Sequence, residues 1–106
     1  QNIFVENKKM ENFNQSFEKY KEKLALYVPV VARVHGKSHP EFLEVQKAYQ
    51  QIIEKINQNP NTKPEITNEL TKLKEITQNY QLPQDTCESY EAVYTMLAQI
   101  DKAYFL

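Results

Sequence analysis

The chain has 106 residues, 41% hydrophobic and 25% charged, enough for one modest core and no second domain. Thirteen basic residues against fourteen acidic leave a net charge of -1, so no global field draws the chain to nucleic acid or to an anionic membrane. No apolar run approaches the roughly 20 residues of a membrane span, the first residues lack the apolar core of a secretory signal, and the single cysteine permits no internal disulfide, so a cytoplasmic location is expected.

Residues 1–11 are polar apart from Ile3, Phe4, Val5 and Met10, follow no period, and are expected to form a flexible leader ahead of a single domain at 12–106. From Phe13 the apolar positions run Phe13, Phe17, Tyr20, Leu24, Tyr27, Val31, Val34, spacings of four and three that predict one helical stripe. Pro29 lies inside it and predicts a kink, because proline removes one backbone hydrogen bond and crowds the preceding turn. Gly36, the only glycine, is expected to take the left-handed conformation that ends many helices; a single glycine also excludes glycine-rich phosphate loops.

Ser38, His39, Pro40 and Glu41 carry a capping-box pattern that predicts a second helix, with Phe42, Val45, Tyr49, Ile52 and Ile56 on one face. It fades in NQNPN at 57–61. Thr62 and Glu65, with Pro64 between, repeat the device ahead of a third helix bearing Ile66, Leu70, Leu73, Ile76 and Tyr80. After a connection around Leu82 and Pro83, Asp85 with Glu88 predicts the start of a fourth, carrying Cys87, Tyr90, Val93, Tyr94, Leu97, Ile100 and Tyr104. Connections this short between helices predict an all-α, antiparallel four-helix bundle. No stretch alternates with the period of a strand, and no internal repeat is present.

His35 and His39, the only histidines, stand four residues apart with Glu41 and Glu44 close by, which makes His35, His39 and Glu41 the metal-ligand candidates. A di-iron site in a bundle takes about six protein ligands, with Glu-x-x-His pairs on facing helices, and that spacing does not occur here. The other reading is that His35 sits at the end of the first helix, favourably placed against its dipole, and His39 in the first turn of the second. Cys87 is either a small core residue of the last helix or a reactive thiol drawn to that helix's positive end, an effect that Asp85 and Glu88 oppose. Tyr20, Tyr27, Tyr49, Tyr90, Tyr94 and Tyr104 fall at core-facing phase and are expected to pack, or alternatively to line a groove for a partner or a small ligand. The mixed charges at Glu18, Lys19, Lys21, Glu22 and Lys23 form a solvated face. No Ser-His-acid arrangement supports catalysis.

VHGKSHPE at 34–41 is similar to a V-H-G-x-x-H-P-E signature, and ITQNYQLPQDTCESYEAVYTMLAQID at 76–101 resembles a helix-loop-helix with the same Tyr, Pro, Cys, Tyr and Tyr spacing. Both resemble the hemerythrin-like di-iron proteins of iron-sulphur cluster repair, the Ric family, over about two thirds of the chain. The resemblance implies a hemerythrin-like four-helix bundle and a part in restoring iron-sulphur clusters after oxidative or nitrosative stress. The iron ligands of that family lie in a histidine of the first helix, a His-Met-x-x-Glu-Glu type motif, a histidine of the third helix, and a closing His-x-His-Leu-Glu-Asn type motif. Here Asn14 to Tyr20 holds no histidine, the second helix ends in IIEKINQNPN, the third has none, and the sequence stops at Leu106, near where the last motif would begin. The expectation is therefore the scaffold without a complete di-iron site: an accessory protein acting by protein contact or weak metal handling. A helical interaction or regulatory module unrelated to iron is the alternative. A protein partner or a second copy of the chain is the expected binding partner, with no nucleic acid and no membrane.

Overall fold

The computed structural model describes the backbone at 3–60 and 62–106 and the side chains at 12–60 and 62–106. Four helices form: α1 (Ile3–His35), α2 (Glu41–Gln58), α3 (Thr67–Thr77) and α4 (Glu88–Tyr104). Among the described residues there is no strand, and the fold is the all-helical bundle that the periodicity predicts. The chain runs up, down, up and down. His35 at the end of α1 meets Cys87 at the start of α4, while Phe13 near the other end of α1 meets Tyr104 at the end of α4. One end of the bundle therefore gathers the close of α1 and the starts of α2 and α4. The opposite end carries the α2–α3 connection.

α1 starts at Ile3, inside the stretch predicted as a leader, and nothing before Pro29 could stop it, because residues 1–28 contain no glycine or proline. The helix is not interrupted at Pro29. Leu24 and Val28 before it and Val31 and Ala32 after it are all buried. Val34 departs from the predicted stripe and is 62% exposed. At 3.6 residues per turn it sits ~80° round from Leu24, whereas His35 lies within ~20° of Leu24 and takes the inward position.

The remaining stripes form the core largely as predicted. Phe42, Val45, Tyr49 and Ile52 of α2, Ile66, Leu70 and Leu73 at α3, and Tyr90, Val93, Tyr94, Leu97, Ile100 and Tyr104 of α4 are buried, with Ile56 and Ile76 packed against them. Each such side chain contributes on the order of 1.5–3 kcal/mol by leaving water. Tyr90, Tyr94, Tyr49 and Tyr104 are core residues, and Tyr20, Tyr27 and Tyr80 edge it, so the tyrosines are used for packing. At the α2–α3 end the Tyr104 hydroxyl donates to the Pro64 carbonyl (2.8 Å) and accepts from the Ile66 amide (3.3 Å), tying the connection to the last turn of α4.

The predicted caps do not form. α2 begins behind Pro40, with no side-chain cap bond from Ser38. α3 begins at Thr67, later than the Thr62–Glu65 pattern predicts; Glu65 lies ahead of the helix, and its carboxylate accepts from the Thr67 amide at 3.2 Å. The Thr67 side chain first, and then this amide bond, hold Glu65 below the usual carboxylate range. α4 begins at Glu88, with Cys87 in the cap position and Asp85 in a left-handed turn at φ 62°. Gly36 is not left-handed either. Its need is for space: a Cβ there would stand 2.4 Å from the Ala32 carbonyl oxygen and 3.1 Å from Leu43.

Candidate functional site

The corner between α1 and α2 holds the chain's only imidazoles, and the bundle brings the only thiol to it. His35 Nε2 lies 3.3 Å from Cys87 Sγ, a pair separated by 52 residues in sequence. The two are within hydrogen-bond reach whichever of them carries the proton. Cys87 is exposed, so of its two readings the core one is corrected. The cause is its position: as the residue before the first turn of α4 it points along the bundle end instead of into the stripe that begins with Tyr90.

His39 follows the turn, with its amide donating to the His35 carbonyl at 2.7 Å. Its Nδ1 stands 3.3 Å from the Glu41 carboxylate, so Glu41 faces His39 instead of reaching back to Ser38. The two imidazole centroids are 6.2 Å apart. Both rings rest on Tyr90, which meets each nearly edge-on at 5.3 Å and 5.5 Å and packs on Phe42 behind. Tyr90 thus fixes the corner from the core side. Edge-to-face contacts of this kind are worth roughly 0.5–1.5 kcal/mol beyond the area they bury.

The Tyr90 hydroxyl is buried with no hydrogen-bond partner among the described residues. Burial pushes it well above the ordinary tyrosine range, and the neighbouring Tyr94 hydroxyl and the Glu41 carboxylate add to the effect, although the two hydroxyls do not meet in hydrogen-bond geometry.

A di-iron centre does not fit these residues. No group of three or more His, Cys, Asp or Glu side chains converges among the described residues. The buried carboxylates lie elsewhere: Glu69 meets Lys55 through Oε2 at 2.9 Å, its Oε1 without a partner among the described residues, and Asp101 meets Lys74 at 3.3 Å and the Tyr80 hydroxyl at 2.6 Å. His35, His39 and Glu41 share the corner, but their contacts are pairwise, His35 with Cys87 and His39 with Glu41, each at 3.3 Å. Glu44, one turn further along α2, is exposed.

The sequence predicts each of these residues but not their pairing. The signal that could reveal it is topological: in an up-down-up-down bundle the end of the first helix and the start of the fourth lie at the same end. Exposure carries a direct consequence for Cys87. In the native protein it is expected to react with an alkylating reagent at a rate within about tenfold of the unfolded chain, since burial, the usual protection, is absent. A native rate several hundredfold slower would return Cys87 to the core.

Among the described residues no helix is long and apolar enough to cross a membrane. The chain matches no protein-family model, no curated protein and no solved structure.

Proposed function

We propose that this chain is a cytoplasmic accessory protein of the iron-sulphur repair type, working by protein contact and weak metal handling without a di-iron centre of its own. The observation that supports this reading is the exposed thiol-imidazole pair at the corner, Cys87 Sγ and His35 Nε2 at 3.3 Å. Cys87 Sγ and His35 Nε2 would offer a soft divalent ion one thiolate and one imidazole donor, both of the kind such ions take. Two donors are too few to retain an ion. Such an ion would be held only loosely by His35 and Cys87 and would need water or a partner's side chains besides, as a handling role requires.

Cobalt(II) added to protein purified without an affinity tag tests this. A sulphur-to-cobalt charge-transfer band is expected in the wild type and is lost in Cys87→Ser and weakened in His35→Phe. A wild type without the band, or a preparation carrying about two irons per chain, overturns the proposal. Unchanged recovery of an iron-sulphur enzyme after nitric oxide stress in a deletion strain removes the repair part of it.

A purely structural interaction module is the second reading. It is favoured by the exposed apolar side chains Leu26, Val34 and Leu43 on and beside the corner end of α1. Dimerisation that Val34→Glu abolishes, with no cobalt band, supports this second reading over the first.

A further inference from the structure

A groove of about 660 Å³ lies away from the thiol, between the middle of α1 and the second half of α2. The short connection at the corner holds α1 and α2 together there, and away from it the two helices leave a gap. Phe13 and Phe17, parallel with centroids 6.1 Å apart, form one wall. Tyr49, Ile53 and Ile56 form the other, and Pro60 and Pro64 of the α2–α3 connection also line the groove. From Phe13 to Ala25 the groove follows helix for roughly 18 Å.

From this shape we infer that the groove binds a single-chain amphiphile whose head is neutral or positively charged. The volume lies within the ~300–1,000 Å³ of small-molecule sites. An elongated, largely apolar lining fits one extended hydrocarbon chain. The rim sets the head. Lys21 is already engaged by Glu18 at 2.9 Å, so among the described residues Glu22 is the rim charge left to meet the ligand, and it repels an anionic head. Tyr49 adds a hydroxyl in the wall of the groove, and burial alone pushes it up to about 12, with no hydrogen bond contributing. A ligand hydroxyl or ether oxygen can accept from it.

The test titrates the full chain with dodecyltrimethylammonium and with laurate, each below its micelle threshold, by calorimetry. Saturable binding of the cation at one site per chain is expected, about fivefold tighter than laurate, a difference of the size one exposed charge supplies. Glu22→Gln is expected to erase that preference while keeping binding. Ala25→Trp, which fills the open mouth from an exposed position, and Ile53→Asn, which makes the wall polar, are each expected to weaken binding at least about tenfold. Leu26→Gln, outside the groove, leaves it unchanged. Non-saturating uptake, equal affinity for the two heads, or binding indifferent to Ala25→Trp overturns the inference. So does a wild-type dimer that Ile53→Asn dissociates, because a second copy of the chain would then be the occupant.

Discussion

Gly36→Ala is expected to lower the stability of the bundle by about 3 kcal/mol, at the upper end of what overpacking costs. An added Cβ would lie 2.4 Å from the Ala32 carbonyl oxygen, well inside van der Waals contact, and that oxygen already accepts from the Gly36 amide at 3.0 Å. Backbone cannot step aside as a side chain can, so the turn must open, and the His35–Cys87 pair and the start of α2 shift with it. In a domain of this size such a loss lowers the melting temperature on the order of 10–20 °C. The second contact, 3.1 Å to a Leu43 methyl, is with a flexible side chain. Leu43→Ala is therefore expected to rescue little of the loss. Denaturant unfolding of the single and double variants checks this. A Gly36→Ala protein within about 0.5 kcal/mol of wild type, or full rescue by Leu43→Ala, shows that the turn has room to spare.

Gly36 also shows why the helices were legible while their ends were not. The stripes at Phe13, Phe17, Leu24 and Val31, at Phe42, Val45, Tyr49 and Ile52, and at Tyr90, Val93, Tyr94 and Leu97 are repeated signals, and each residue reports the same buried face. An end depends on one or two polar groups, and those have rivals. Glu41 can reach back to Ser38 or turn to His39, and the imidazole has it. Glu65 serves the Thr67 amide from outside the helix. Glycine is required at position 36 by crowding from Ala32 and Leu43, and the second of those is seven residues further along the chain.

The corner was legible as a collection of residues and silent as a site. Val34 and His35 are adjacent, and a small error in the phase of the α1 stripe decides which of them faces inward. Cys87 continues the α4 stripe in sequence, three residues before Tyr90, yet α4 begins only at Glu88. Its partner is set by the antiparallel topology across 52 residues, and no local pattern encodes that.

Asp101→Ala is expected to cost about 3 kcal/mol, because it removes the acceptor of a buried network. Asp101 is 3% exposed on α4, with the Tyr80 hydroxyl at 2.6 Å on one carboxylate oxygen and Lys74 at 3.3 Å on the other. The Tyr80 contact holds an unusual turn: Gln78, Asn79 and Tyr80 all have positive φ, at 51°, 63° and 62°. Left-handed backbone costs roughly 1–2 kcal/mol per non-glycine residue, so three in succession need strong fastening. The fastenings are the Asn79 amide to the Lys74 carbonyl (2.7 Å), the Tyr80 amide to Thr77 Oγ1 (2.8 Å), and Tyr80 to Asp101. Lys74 is half exposed, so Lys74→Ala is expected to cost no more than about 1 kcal/mol. Tyr80→Phe and Asp101→Ala together should be less damaging than their sum, by about 1–3 kcal/mol of coupling.

The same contact contributes to an alkaline limit that the raised Tyr49 and Tyr90 share. Burial first, then the bond to Asp101, raises Tyr80 above its ordinary value of 10.0, so the unfolded chain loses this proton before the folded one does. The stability it contributes is complete below that value and is lost as the pH climbs above it. Tyr80→Phe should flatten that loss. Additive Tyr80 and Asp101 variants, with an alkaline limb unchanged by Tyr80→Phe, would show that the turn is held by α3 alone.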